Sequence, residues 1–194
     1  MSLSRQQITL LGIFALFLAP LLLVMLMRSS WWQYQPAGMK NQGYLLQPPV
    51  QLPLDLTHEF GDKWLILYTL DNPCGQKCID HATALRQIHR ATGRKSKHLE
   101  VVMLSDTLLE SEFRTEIESI YPEFKIVVDT SGAATDVLAT VNADMMTDTG
   151  DANLPNTYIL DPMLNVILAY GMNSNPGDIH ADIKRLLKWS EQEN

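Results

Sequence analysis

The sequence predicts an α/β domain, a mostly parallel sheet with helices on both faces, preceded by one N-terminal transmembrane helix. Three patterns carry this. Strand-like and helix-like segments alternate from about residue 60 onward, the signature of a sheet sandwiched between helices. The segment 98–105 is apolar at its centre, Val101-Val102-Met103-Leu104, as parallel strands buried on both faces are. Ahead of the domain, residues 10–27 form an uncharged run of 18 residues, at the lower end of what crosses a bilayer.

The elements follow in order. Residues 1–28 read as tail and anchor, with Arg5 before the apolar run, Arg28 after it and Pro20 inside it. Trp31, Trp32 and Tyr34 follow directly, placed like an interfacial aromatic belt. A cleavable signal would have a shorter apolar region, roughly 7–15 residues, and a small-x-small cleavage site, and neither is found. Residues 29–56, with Pro36, Pro48, Pro49 and Pro53, read as a tether, within which 50–54 is a candidate edge strand. Residues 57–194 form the domain. Its predicted elements are strand 63–70, helix 74–90, the basic turn 93–97, strand 98–105, a helix from Asp106 or Thr107 to Tyr121-Pro122, and strand 124–129. A short helix 131–141, a polar loop 142–156 and a hairpin of 157–160 with 166–170 come next. Asn175-Pro176-Gly177-Asp178 opens a closing helix striped by Ile179, Ile183, Leu186, Leu187 and Trp189.

Charge narrows the function. Residues 29–194 hold all 22 acidic residues and 13 of the 15 basic ones, a net of about −9. That excludes nucleic acid as a partner, since its affinity comes from Lys and Arg on phosphates. There is no Gly-rich phosphate loop, no Gly-x-Ser-x-Gly elbow and no clustered His-Glu motif, and the acidic stretch 144–151 fails calcium-loop spacing. An N-terminal anchor with a short tail places the domain outside the cytoplasm, on the periplasmic or other extracytoplasmic side of the inner membrane. Disulfides persist there.

The chain has two cysteines, Cys74 and Cys78, four residues apart where a strand hands over to a helix. One helical turn sets such Cα atoms about 6 Å apart, within disulfide range. At a helix N-terminus the dipole, helped here by Lys77, favours a thiolate, the form that attacks disulfides and that binds soft metals. Two chemistries are therefore open: thiol–disulfide exchange, and transient Cu(I) ligation. His81, three residues after Cys78, is the nearest candidate for a third copper ligand in sequence, against the plainer reading of a solvated surface histidine. Met145, Met146 and Met172 offer thioether sulfur. A plain staple closing so short a loop would gain little entropy.

A strand ending in Tyr68-Thr69 before Cys-x-x-x-Cys, behind a single anchor, resembles the Sco/SenC family, as does the Asp161-Pro162 turn after Tyr158-Ile159-Leu160. The resemblance covers residues 50–190. It implies a thioredoxin-like fold and a role in assembling the copper centre of cytochrome c oxidase, by Cu(I) binding at Cys74 and Cys78, by thiol exchange, or both. The implied partner is a respiratory oxidase subunit or another exported thiol-bearing protein. Two features depart from the family. Gly75 and Ile79, not proline, follow the cysteines, and no histidine precedes the strand at 157–160, where the family keeps its metal-binding histidine. Instead, Leu154-Pro155-Asn156-Thr157-Tyr158 resembles the loop of membrane-anchored thioredoxin-like reductases, whose cis-proline faces the active cysteines. Pro155 is thus a candidate docking residue, or simply a trans proline ending a loop. A general periplasmic thiol–disulfide oxidoreductase and a non-catalytic thioredoxin-like scaffold are the alternative functions.

Overall fold

The computed structural model describes residues 5–28, 41–54, 60–70, 74–149 and 154–190, and the chain divides into two compact units, 1–40 and 41–194. In the first, helix α1 (Arg5–Arg28) is 24 residues long with Pro20 inside it. Phe14, Leu16, Phe17, Leu22 and Met25 are exposed on it. Among the described residues no helix is long and apolar enough to cross a membrane. The apolar run is helical over its whole length.

The second unit is built on one six-stranded sheet in the order β1-β6-β5-β2-β3-β4. The strands are β1 (Tyr44–Gln51), β2 (Trp64–Thr69), β3 (Leu99–Ser105), β4 (Lys125–Val128), β5 (Pro155–Leu160) and β6 (Asn165–Gly171). Among the described residues, four helices complete it: α2 (Gln76–Ala91), α3 (Ser111–Ile120), α4 (Ala133–Thr149) and α5 (Pro176–Ser190). A 3₁₀ turn, Gly93–His98, follows α2 where the sequence places the basic turn.

The sheet is mixed, which corrects the expectation of a mostly parallel one. β2, β3 and β4 are parallel, joined through α2 and α3. β5 lies antiparallel to β2, β6 antiparallel to β5, and β1 antiparallel to β6. The β5–β6 hairpin docks against β2 rather than at a free edge, so it brings an antiparallel half with it. β1 occupies residues read as tether. Its Pro48 and Pro49 suit an outermost strand, where a missing N–H donor costs no ladder bond.

Helices cover both faces, as expected. Because side chains alternate along a strand, Ile66, Tyr68 and Leu70 join one core, while Leu65 and Leu67 join the other. The first core packs under α2, α3 and α5 through Leu85, Ile117, Ile179, Ile183 and Leu187. The second packs under α4 through Ala134, Leu138, Val141 and Met145. That stripe continues past Val141, so α4 runs on to Thr149 and replaces most of the predicted 142–156 loop. α3 starts at Ser111, later than Asp106 or Thr107, and Pro122 follows its last turn.

Candidate functional site

β2 ends at Thr69, and α2 starts at Gln76 with Gly75 as its N-cap. Gly75 takes extended backbone angles, and its carbonyl accepts from the N–H groups of Cys78 at 3.0 Å and Ile79 at 3.2 Å. Cys74 therefore sits just outside the helix and Cys78 within its first turn. They form a disulfide with Cα atoms 5.4 Å apart, close to the spacing expected from one helical turn.

The two sulfurs differ in access. Cys78 is 2 % exposed and part of the core, whereas Cys74 is only partly buried. The helix end that bears the cysteines carries no acidic residue in its first turn and no side-chain cap, so among the described residues no carboxylate offsets its dipole there. Lys77 adds a positive charge there. Once reduced, Cys74 has the exposure and the electrostatics of an attacking thiolate, and buried Cys78 those of a resolving thiol.

Beside Cys78 lies an open cavity of about 330 Å³, lined by Tyr68, Lys77, Asp80, His81, Asn156 and Met172 among others. His81 is one of its walls rather than a solvated surface residue. Its ring stacks on Tyr68 with centroids 4.7 Å apart, and its Nε2 lies 2.8 Å from Thr157 Oγ1. With the Thr157 hydroxyl directed to Asn156 Oδ1 at 3.1 Å, the matching tautomer has Nε2–H donating to Thr157 and the lone pair on Nδ1. Burial pushes the His81 pKa below its ordinary value, because the charged imidazolium loses hydration.

The structure does not assemble His81 with the sulfurs as a metal centre. Among the described residues no group of three His, Cys, Asp or Glu side chains could hold a metal ion. Nε2 is turned to β5 instead, and the sulfurs are bonded to each other. Cu(I), considered as cargo, would find two sulfur donors only after reduction, and among the described residues no third ligand of these types.

Pro155 takes the trans alternative. The cis peptide bond among the described residues is Gln47–Pro48, so Leu154–Pro155 is trans. Pro155 is buried at the start of β5, opposite Gly171, with its carbonyl 3.0 Å from the Tyr158 hydroxyl, and it does not line the cavity. The residues that do reach the site from that strand are Asn156 and Thr157. Sequence reasoning missed both, and their signal is a strand register, Tyr68 opposite Thr157, that no local pattern encodes. Met172 reaches the cavity, whereas Met145 packs in the opposite core and Met146 is exposed.

A strand-to-helix junction bearing a half-exposed cysteine pair, on a mixed sheet covered on both faces, defines a thioredoxin-like domain. Residues 64–190 match the family described as transmembrane-like, thioredoxin-like, C-terminal domain, and the chain belongs to that family. No curated protein matches the sequence significantly. Among solved structures, the fold is similar to yeast Sco1 with copper bound, at 14% identity over 68% of this chain and 82% of that one, TM-score 0.52. It is similar also to copper-bound ScoI of Arabidopsis thaliana, at 15% identity over 68% of this chain and 88% of that one, TM-score 0.51. Apo Sco1 of Thermus thermophilus matches at 14% identity over 77% of this chain and 99% of that one, TM-score 0.51. At these identities the likeness is one of fold.

Proposed function

We propose that this chain is a Sco-like thiol–disulfide exchange protein, tethered to the outer face of the inner membrane and acting on cysteine pairs of exported proteins. The observation that carries it is the Cys74–Cys78 disulfide at an acid-free helix start, with one sulfur accessible and the other buried beside an open cavity. Reduced Cys74 attacks a partner disulfide, and Cys78 then displaces the partner and closes the internal disulfide again. The exposed apolar side chains of α1 and the Trp31-Trp32 pair support the single-pass tether. The copper-site cysteines of a respiratory oxidase subunit are the partner that the resemblance to Sco proteins suggests.

The test is a trap. In the full-length Cys78→Ser variant, reduced Cys74 should accumulate as a mixed disulfide with a dithiol-bearing peptide supplied in its oxidised form, and Cys74→Ser should not. A scaffold holding a structural disulfide would trap nothing in either variant.

A second reading is transient Cu(I) carriage by the two thiolates, favoured by the copper bound in the yeast and Arabidopsis structures. Titrating the reduced chain with Cu(I) decides it. Stoichiometric binding abolished in both cysteine variants supports carriage, and no binding restricts the protein to exchange.

A further inference from the structure

The exchange reading leaves one chemical need unmet. Cys78 must lose its thiol proton before it can attack, and at 2 % exposure it opens only onto the cavity it shares with His81. A base lining that cavity is placed to take the proton.

We infer that His81 is the proton acceptor for Cys78 when that thiol resolves a mixed disulfide on Cys74. This rests on the exchange reading proposed above. Three observations carry it. Cys78 and His81 are three residues apart on α2, hence neighbours on one helix face. Both line the same cavity. Thr157 occupies Nε2–H, and Nδ1 makes no hydrogen bond among the described residues, which leaves a lone pair for an incoming proton.

The other groups facing His81 do not fill the role. On α2, Lys77 is a cation, and Asp80 is exposed and accepts from Gln76 Nε2 at 2.9 Å. On β2, the ring of Tyr68 is stacked against the imidazole. From β5 come Asn156 and Thr157, and after β6 Met172 and Asn173, none of them a base. Burial keeps His81 neutral at neutral pH, the state that accepts a proton.

Cys78 Sγ–H gives its proton to His81 Nδ1, and the thiolate attacks Cys74 Sγ. The Cys74–partner S–S bond breaks, its electron pair leaves on the partner sulfur, and that thiolate is protonated from the imidazolium or from solvent. The partner sulfur is reduced, the Cys74–Cys78 pair is oxidised, and an external dithiol reductant restores the pair.

The experiment uses the full chain in detergent, reduced with dithiothreitol, desalted and mixed with equimolar 5,5′-dithiobis(2-nitrobenzoate) in stopped flow. The first thionitrobenzoate released reports attack by Cys74, and the second reports resolution by Cys78. In His81→Gln, which keeps an N–H donor for Thr157, the first phase should be unchanged. The second should slow by about a hundredfold at neutral pH, the lower end of what general-base help contributes. Its rate should then climb with pH through the thiol range instead of levelling off above the imidazole range. In His81→Ala, added free imidazole should recover part of the second phase, which a merely structural role would not allow. A second phase with wild-type rate and pH profile in both variants overturns the inference while leaving exchange intact. A wild-type chain that gives no first phase overturns the exchange reading itself.

Discussion

His81 Nε2 lies 2.8 Å from Thr157 Oγ1, a contact between residues 76 apart in sequence that ties the first turns of α2 to the central strand β5. It fixes the imidazole against Tyr68 and holds the cysteine-bearing end of α2 on the sheet. Thr157 is fully buried, so Thr157→Val should leave a ring N–H without its partner and cost about 1 kcal/mol, read by urea denaturation.

The same burial predicts a pH dependence. His81 titrates below its ordinary 6.5 in the folded chain, so between that value and its lowered one the unfolded chain binds more protons. Stability contributed by neutral His81 is complete above 6.5 and declines as pH falls. His81→Gln should flatten the stability curve over that interval, and an unchanged slope would show that the ring titrates normally.

The sulfurs should react unequally. With Cys78→Ser, reduced Cys74 should be alkylated by iodoacetamide in the native state at least about tenfold faster than Cys78 is in Cys74→Ser, since access and thiolate fraction both favour Cys74. Mass spectrometry of quenched samples reads the ratio, and equal rates would remove the assignment of attacking and resolving roles.

The helix end should tune the thiol. Lys77→Glu places an acid in a first turn that has none, next to the thiolate that reduction creates. The Cys74 thiol pKa should rise by about half a unit to one unit, and the disulfide should become less oxidising, because the reduced form loses stabilisation. Thiolate absorbance followed against pH checks it.

Asp129 gives a second, more acidic window. Burial alone would raise its pKa, but hydrogen bonds from Thr135 N at 2.9 Å, Ser131 Oγ at 2.8 Å and Thr135 Oγ1 at 3.1 Å outweigh it and hold the carboxyl below 3.8. These bonds organise the start of α4, and their stabilisation is present above 3.8 and lost as pH falls through the lowered value. Asp129→Asn should cost about 1 kcal/mol at neutral pH and progressively less in acid, measured by thermal unfolding across pH.

Much of the fold was legible because its signals are local. The apolar centre of β3, the capping segment before α5 and the proline after α3 each mark an element by themselves. Strand direction was not, since β5 beside β2 is a long-range choice that hydrophobic pattern does not encode. β1 was missed as a full strand because Pro48 and Pro49 look like linker, although an outermost strand accommodates them. α4 was cut short because Asn142 and Asp144 suggest a loop, yet Asp144 is exposed and Asn142 is satisfied on the sheet side, accepting from the Tyr158 hydroxyl at 2.7 Å, beside the stripe of Leu138, Val141 and Met145. At the site, the cysteine pair needed only spacing and context. Thr157 at His81 required the β2–β5 register, and the trans bond before Pro155 is a choice that its resemblance to a docking proline did not decide.

The central claim is that Cys74 and Cys78 form a working redox couple, and a redox titration of the full-length chain tests it most directly. Equilibrated in graded dithiothreitol or glutathione buffers and quenched with a thiol-alkylating mass tag, the pair should pass reversibly between disulfide and dithiol in one two-electron transition, with the same midpoint from either side. A disulfide that stays closed until the chain is denatured, or that reduces only with loss of the fold, would contradict the account.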